Sequence, residues 1–169
     1  LELTETMRNR ERRGTLLWVL DKTKTAMGKR LIRSWIEQPL LNIAKISRRH
    51  NAVSELCSDS MLLAREIENI ADVSDMERLM ARIVYETANA KELRSLLATI
   101  RLLPDIRNCL AECKSALLNE IYEDIDLLED IAELIDTAID EEPPFTVREG
   151  GMIKDGFHPD IDKLRNAKH

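Results

Sequence analysis

The stretch TKTAMGKR, residues 23–30, joins a glycine to a lysine as phosphate-binding loops do. A Walker loop needs GxxxxGK followed by Ser or Thr: the first glycine permits a tight turn, the backbone amides hold phosphate, and the hydroxyl binds magnesium. Thr23 stands in place of the first glycine and Arg30 in place of the hydroxyl, and no strand-like apolar run leads into a glycine-rich turn. The plainer reading is a helix start, with Thr25 as cap and Met27 opening the buried face. Gly28 then costs about 1 kcal/mol of helix propensity relative to alanine, which close packing against a neighbour would explain.

The other reactive side chains form weaker constellations. Cys109 and Cys113 lie four apart and could share a metal with Cys57 or a histidine, but small thiols on an apolar stripe are the commoner arrangement. His50 falls on the apolar stripe of its helix and is expected at an interior or boundary position, His158 in a loop or cap, and His169 at the terminus. The acidic run from Glu120 to Asp140 has no companion histidine and no glycine-rich cleft, so it reads as a solvated helix face. Arg8, Arg10, Arg12 and Arg13 could meet phosphates or another domain; they lack interleaved aromatics, and tight DNA binding needs a broad basic surface. No catalytic, cofactor-binding or metal-ligating residue is therefore assigned.

The elements that position these residues follow from composition and periodicity. A chain of 169 residues is about one domain and can bury roughly two thirds of its unfolded surface. Five glycines, five prolines and 4% aromatic residues, beside abundant Leu, Ile, Ala, Glu and Arg, favour helices over a sandwich or barrel. No apolar run approaches the roughly 20 residues that span a bilayer, and three cysteines in a chain of this size fit a reducing compartment. A cytoplasmic protein with no membrane association is expected. The net charge of -6 divides unevenly: residues 1–50 hold 12 Lys/Arg against 5 Asp/Glu, and the remainder 13 against 26. Leu1 at the start and an apolar stripe still running at the end suggest a piece of a longer protein.

LELTET reads as a short extended opening, Gly14 as a turn, and TLLWVLD as a buried connector anchored by Trp18. Met27, Leu31 and Trp35 recur every four positions and predict a helix over 26–37 that Pro39 stops. Ile43, Ile46, His50, Val53 and Cys57 predict the buried stripe of a second helix capped by Asn42. Helices are expected at about 60–70, 74–86 and 89–103, with capping acceptors at Ser74 and Asn89 and a stop at Pro104. Asp105 caps a short helix lined by Ile106, Cys109, Leu110 and Cys113; a break spans 115–123, and Ile125, Leu128, Ile131, Ile135 and Ala138 mark one more stripe. After EEPP, residues 141–144, two short extended pieces turn at Gly150-Gly151 and Asp155-Gly156. A final helix begins near Pro159.

Two segments go beyond periodicity. The opening LELT, the segment TLLWVLD, the helix start built on Thr23, Thr25, Met27, Gly28, Arg30 and Trp35, and the exit QPL at 38–40 resemble the core or lever domain of the bacterial MutS family of DNA mismatch recognition proteins. The continuation Ile46, Arg49, Ala52, Val53 and Leu56 is similar to the next helix of that family. REGGMIKDGFHPDIDKLR resembles a second family segment, with Phe157 where tyrosine is usual and Ile161 where leucine is. The helices at 60–140 match in pattern only.

The resemblance implies an all-α fold, an elongated multi-helix bundle with a short extended or hairpin segment near the C-terminus. It implies a helical core or lever domain at 1–142, a connecting segment at 143–157, and at 158–169 the start of a helix toward a clamp domain. The implied role is a non-enzymatic structural lever that couples an ATPase domain to a DNA clamp. The implied partners are the connector, clamp and ATPase domains of the same chain, with mismatched double-stranded DNA for a parent homodimer. ATP and magnesium are implied for the parent protein and no cofactor for this piece. A freestanding helical adaptor for protein–protein interaction is the alternative.

Overall fold

The computed structural model describes residues 2–167, so the expectations resting on Leu1 and His169 lie outside the described residues. Among these residues the chain is all-α, with no strand; its one β-type contact is an isolated antiparallel bridge between Ile139 and Ile153. The helices are α1 (Leu16–Leu20), α2 (Ala26–Glu37), α3 (Ile43–Ser58), α4 (Ser60–Ala71) and α5 (Met76–Val84). They continue as α6 (Ala90–Ile100), α7 (Leu103–Leu110), α8 (Ala116–Asp124), α9 (Glu129–Ala138) and α10 (Pro159–Asn166). The chain forms two compact units: one from the residues up to Asp75 with Pro104–Asp126, the other from Met76–Leu103 with the residues from Leu127 onward.

In the first unit α3 packs along α4 and α8, and α1 against α2. Its core is small: Ala52, Leu110, Cys113 and Leu118 are buried, with Leu56, Leu62, Leu117, Tyr122 and Ile125 packed around them. The 16-residue α3 forms as predicted and Asn42 caps it, accepting from the Lys45 amide at 3.0 Å. Its buried face is not the predicted one. Ile43 and Val53 are exposed, as are His50 and Cys57, while Ala52 is buried and Arg48, Glu55 and Leu56 are partly covered. A periodic stripe fixes a helix but not which face finds a partner, and the small side chain of Ala52 allows close approach where Ile43 and Val53 would not.

The α1 and α2 expectations also need correction. Trp18 does not anchor α1: it is half-exposed with Leu16, Val19 and Leu20, and the anchor is Leu17 with Thr15, which is 1% exposed. The opening residues are not paired as a strand; the Glu2 and Leu3 carbonyls accept the Leu16 and Leu17 amides, groups that a helix start leaves without intrahelical partners. In α2 the predicted ends hold, but Leu31 and Trp35 lie largely outward while Ile32 and Ile36 are partly covered. The Arg49 guanidinium stacks 3.6 Å from the Trp35 ring centre, giving that indole a cationic cover in place of a buried site.

The expected break at 115–123 is the helix α8, and Pro104 sits within the first turn of α7 rather than closing α6, which ends at Ile100. Proline has no amide to donate, so the first turn, where that donor would be unused, suits it. Asp105 lies inside this turn and is not its cap.

The second unit has the larger core, built on Leu79, Ala90, Leu96, Leu97, Ile100, Ile135, Ala138 and Ile139, with α6 packed along α9 and against α5. Asn89 and Glu92 form the predicted reciprocal cap, each side chain accepting the other's amide at 2.9 Å. Leu128 takes a left-handed backbone (φ 50°) at the start of α9, at a cost of about 1–2 kcal/mol, and packs its side chain against this core. The two extended pieces expected after EEPP are replaced by a 3-10 turn at Val147–Glu149. The pairing that does occur joins Asp140 and Ala138 to Met152 and Lys154.

Candidate functional site

The turn before α2 is built from its own polar side chains. Asp21 accepts from both the amide and the hydroxyl of Thr23, and the Arg12 guanidinium pairs with the same carboxylate. The Thr23 hydroxyl, aided by Arg12, holds the Asp21 carboxyl below its ordinary value despite the opposing effect of burial. Thr25 then caps α2, its Oγ1 accepting from the Gly28 amide at 3.0 Å. A Cβ on Gly28 would stand 3.0 Å from that oxygen and 3.3 Å from the Thr23 Cβ. The glycine therefore makes room for the cap itself, and its amide is directed into the turn rather than toward a phosphate. Arg30 forks onto Asp75, with Nη1 and Nη2 donating at 2.8 and 2.6 Å across 45 residues of sequence.

A second construction joins α3 to α8. The Ser115 hydroxyl makes no cap bond to α8. Glu55 of the neighbouring helix holds the two amides that lead into α8, accepting from Lys114 at 2.6 Å and from Ser115 at 2.7 Å. These two backbone donors hold the Glu55 carboxyl below its ordinary value. Arg48, about two turns earlier on α3, pairs with Glu120 of α8. The partner amides of Glu55 lie 59 and 60 residues away, and no local signal in the sequence identifies them.

In the second unit Asp136 of α9 receives Arg94 from the middle of α6 and Arg101 from its C-terminal end, each at 2.9 Å. Its carboxyl is lowered first by the Arg94 hydrogen bond and then by the Arg101 charge. Arg82 of α5 pairs with Glu92 at 2.7 Å, so α5, α6 and α9 are linked by side chains above a shared apolar core. Part of the acidic run thus binds helix to helix, although most of its carboxylates are exposed as expected.

The cysteines do not converge. Cys57 is exposed and Cys113 is buried in the first unit's core; Cys109, partly covered, accepts from the Asn69 amide nitrogen at 3.3 Å. Burial raises both the Cys109 and Cys113 thiols above their ordinary value. Glu66 lies beside Cys109; burial raises its carboxyl, and among the described residues its Oε2 has no hydrogen-bond partner. His158 caps α10, its Nδ1 accepting from the Asp160 amide at 3.3 Å. No group of three or more His, Cys, Asp and Glu among the described residues is arranged to hold a metal. Among the described residues no helix is long and apolar enough to cross a membrane.

Packed helices tied by ion pairs and trans caps define a helical structural segment. The family described as MutS domain III matches residues 1–168, and the chain belongs to that family. It is 50% identical over 169 residues to the DNA mismatch repair protein MutS of Lachnoclostridium phytofermentans, covering 99% of this chain and 18% of that protein. The identity to the MutS protein of Clostridium novyi is 48% over 168 residues, with 99% and 18% covered. For Symbiobacterium thermophilum it is 46% over 165 residues, with 98% and 19% covered. The chain thus spans about a fifth of the length of the curated relatives it matches.

Proposed function

We propose that this chain is the lever segment of a MutS-type mismatch recognition ATPase, transmitting the nucleotide state of an ATPase domain to a DNA clamp. The observation that carries the reading is the domain III match along residues 1–168. The physical support is that α6 is held to α9 through Asp136 at its middle and C-terminal end, and α3 to α8 by Glu55 and Arg48. Helices joined in this way move as stiff bodies with few alternative arrangements, as mechanical coupling requires. In this reading residues 1–142 are the lever, 143–157 the connection and 158–169 the start of the helix toward the clamp. The piece performs no catalysis; ATP and magnesium belong to the ATPase domain, the protein is cytoplasmic, and mismatched duplex DNA is held by a homodimer.

Leu96, 4% exposed in the second unit's core, is the test position. In the full-length protein, Leu96→Ala is expected to slow or abolish ATP-dependent release from mismatched DNA while mismatch binding without nucleotide persists. Normal release by a variant whose α6 amides exchange faster than in the parent protein would refute the coupling role.

A further inference from the structure

Four of the twelve Lys/Arg side chains in residues 1–50 form ion pairs: Arg12 with Asp21, Arg30 with Asp75, Arg33 with Glu37 and Arg48 with Glu120. The others are not spread evenly. Two adjoining grooves run between the opening loop and the first turns of α2, of about 500 and 300 Å³, sharing Arg12, Asp21 and Lys29. Arg10, Lys22, Arg30 and Arg33 complete their cationic lining. Against these six cations stand Glu5 and Asp21 in the lining, Asp21 being held by Arg12 and Thr23, and Asp75 and Glu37, which pair with Arg30 and Arg33. The grooves therefore present a surplus of positive charge along a continuous track.

The side chains remain available to a ligand. Arg12, Arg30 and Arg33 are each about half-exposed while paired. Lys22 and Lys29 are exposed, and Arg10 is lifted outward on a left-handed backbone (φ 52°). The aromatic side chain missing from the arginine run in sequence is brought alongside by the fold: half-exposed Trp18 of α1 lines the first groove with Lys22 and Lys29. Forked guanidiniums and point-charge ammoniums along an open groove suit a row of phosphate oxygens and read no base edges.

We propose that this double groove is a phosphate-binding track that takes the backbone of duplex DNA without regard to sequence, its contacts centred on Arg10, Lys22 and Lys29. Each phosphate neutralised releases condensed counterion, so the track contributes to the salt dependence of DNA binding rather than to mismatch discrimination.

The test uses the full-length protein and a perfectly paired duplex of about 30 base pairs. Binding is measured by fluorescence anisotropy over a series of salt concentrations for the parent protein, Lys22→Glu/Lys29→Glu, Lys22→Arg/Lys29→Arg, and Lys45→Glu as an exposed cation outside the grooves. The Glu pair is expected to make the slope of log K against log salt shallower by about 2, roughly one per lost phosphate contact. The Arg pair and Lys45→Glu are expected to keep the parent slope, and thermal melting confirms that each variant is folded. An unchanged slope in the folded Glu pair would overturn the proposal. Pyrophosphate is titrated in parallel, with Lys29 side-chain resonances as readout. A response to pyrophosphate with no change in the DNA slope would assign the groove to a small phosphoanion and likewise overturn the duplex reading.

Discussion

Gly28 shows how one residue can be read as chemistry or as packing. Its missing Cβ leaves space for the Thr25 hydroxyl that accepts its amide, so cap and glycine form one unit. Thr25→Ala is expected to destabilise the protein by about 1 kcal/mol, the ordinary value of an N-cap. Gly28→Ala in that background should recover up to about 1 kcal/mol of helix propensity, whereas with Thr25 present the crowded hydroxyl should remove the gain. A double-mutant cycle by urea denaturation measures the difference, and strict additivity would show that the two do not interact. Glu66 is a second residue-scale case. Its carboxyl is raised by burial, so ionisation opposes folding once pH exceeds the raised value. Glu66→Gln should therefore raise the melting temperature at pH 7 and leave it nearly unchanged at acid pH, where Glu66 is already neutral.

Between helices, the contacts that matter come from acceptors and cations reaching across to another element. Ser115 makes no side-chain cap bond, and Glu55 of α3 instead fixes the chain entering α8 by accepting the Lys114 and Ser115 amides. Its carboxyl lies below the ordinary glutamate value of 4.5 in the folded chain. A lowered value means that its stabilisation is complete above pH 4.5 and is lost as pH falls through the folded value. Glu55→Gln is expected to lower stability at pH 7 and to flatten part of the acid limb of the stability curve, as followed by circular dichroism at a series of pH values. An acid limb unchanged in slope would mean that Glu55 does not titrate with folding. The helices themselves were legible in advance: α2 and α3 start at Thr25 and Asn42 because side-chain oxygens there meet orphan amides. The face each buries was not, because α3 carries apolar residues on more than one side and only its neighbours choose between Ala52 and Ile43.

At the scale of the whole chain the two cores share no residue, one lying between α5, α6 and α9 and the other between α3, α4, α7 and α8. Leu97, 1% exposed, and Leu118, 5% exposed, are the central leucines. Replacing either with alanine removes buried methyl groups and leaves a cavity, a cost of about 2–5 kcal/mol. Leu97→Ala is expected to speed amide exchange most in α6 and α9, and Leu118→Ala most in α3 and α8. Hydrogen-exchange mass spectrometry reads both patterns, and uniform acceleration along the chain in either variant would contradict the assignment of its core.

The amino-acid sequence by itself determined the all-α class and most helix starts and stops, because caps, prolines and 3.6-residue periodicity act over a few neighbouring residues, and the resemblance of its two end segments pointed to the family. Even there a helix was missed at Ala116–Asp124, where the Ser115 hydroxyl makes no cap bond and the entry is fixed by Glu55 of α3, which accepts the Lys114 and Ser115 amides. Only the tertiary structure decided which faces are buried, which carboxylates clamp helices together, and that Arg12 and Lys29 meet beside Trp18. Those outcomes depend on partners as far apart in sequence as Arg48 and Glu120, and no local pattern encodes the identity of a distant neighbour.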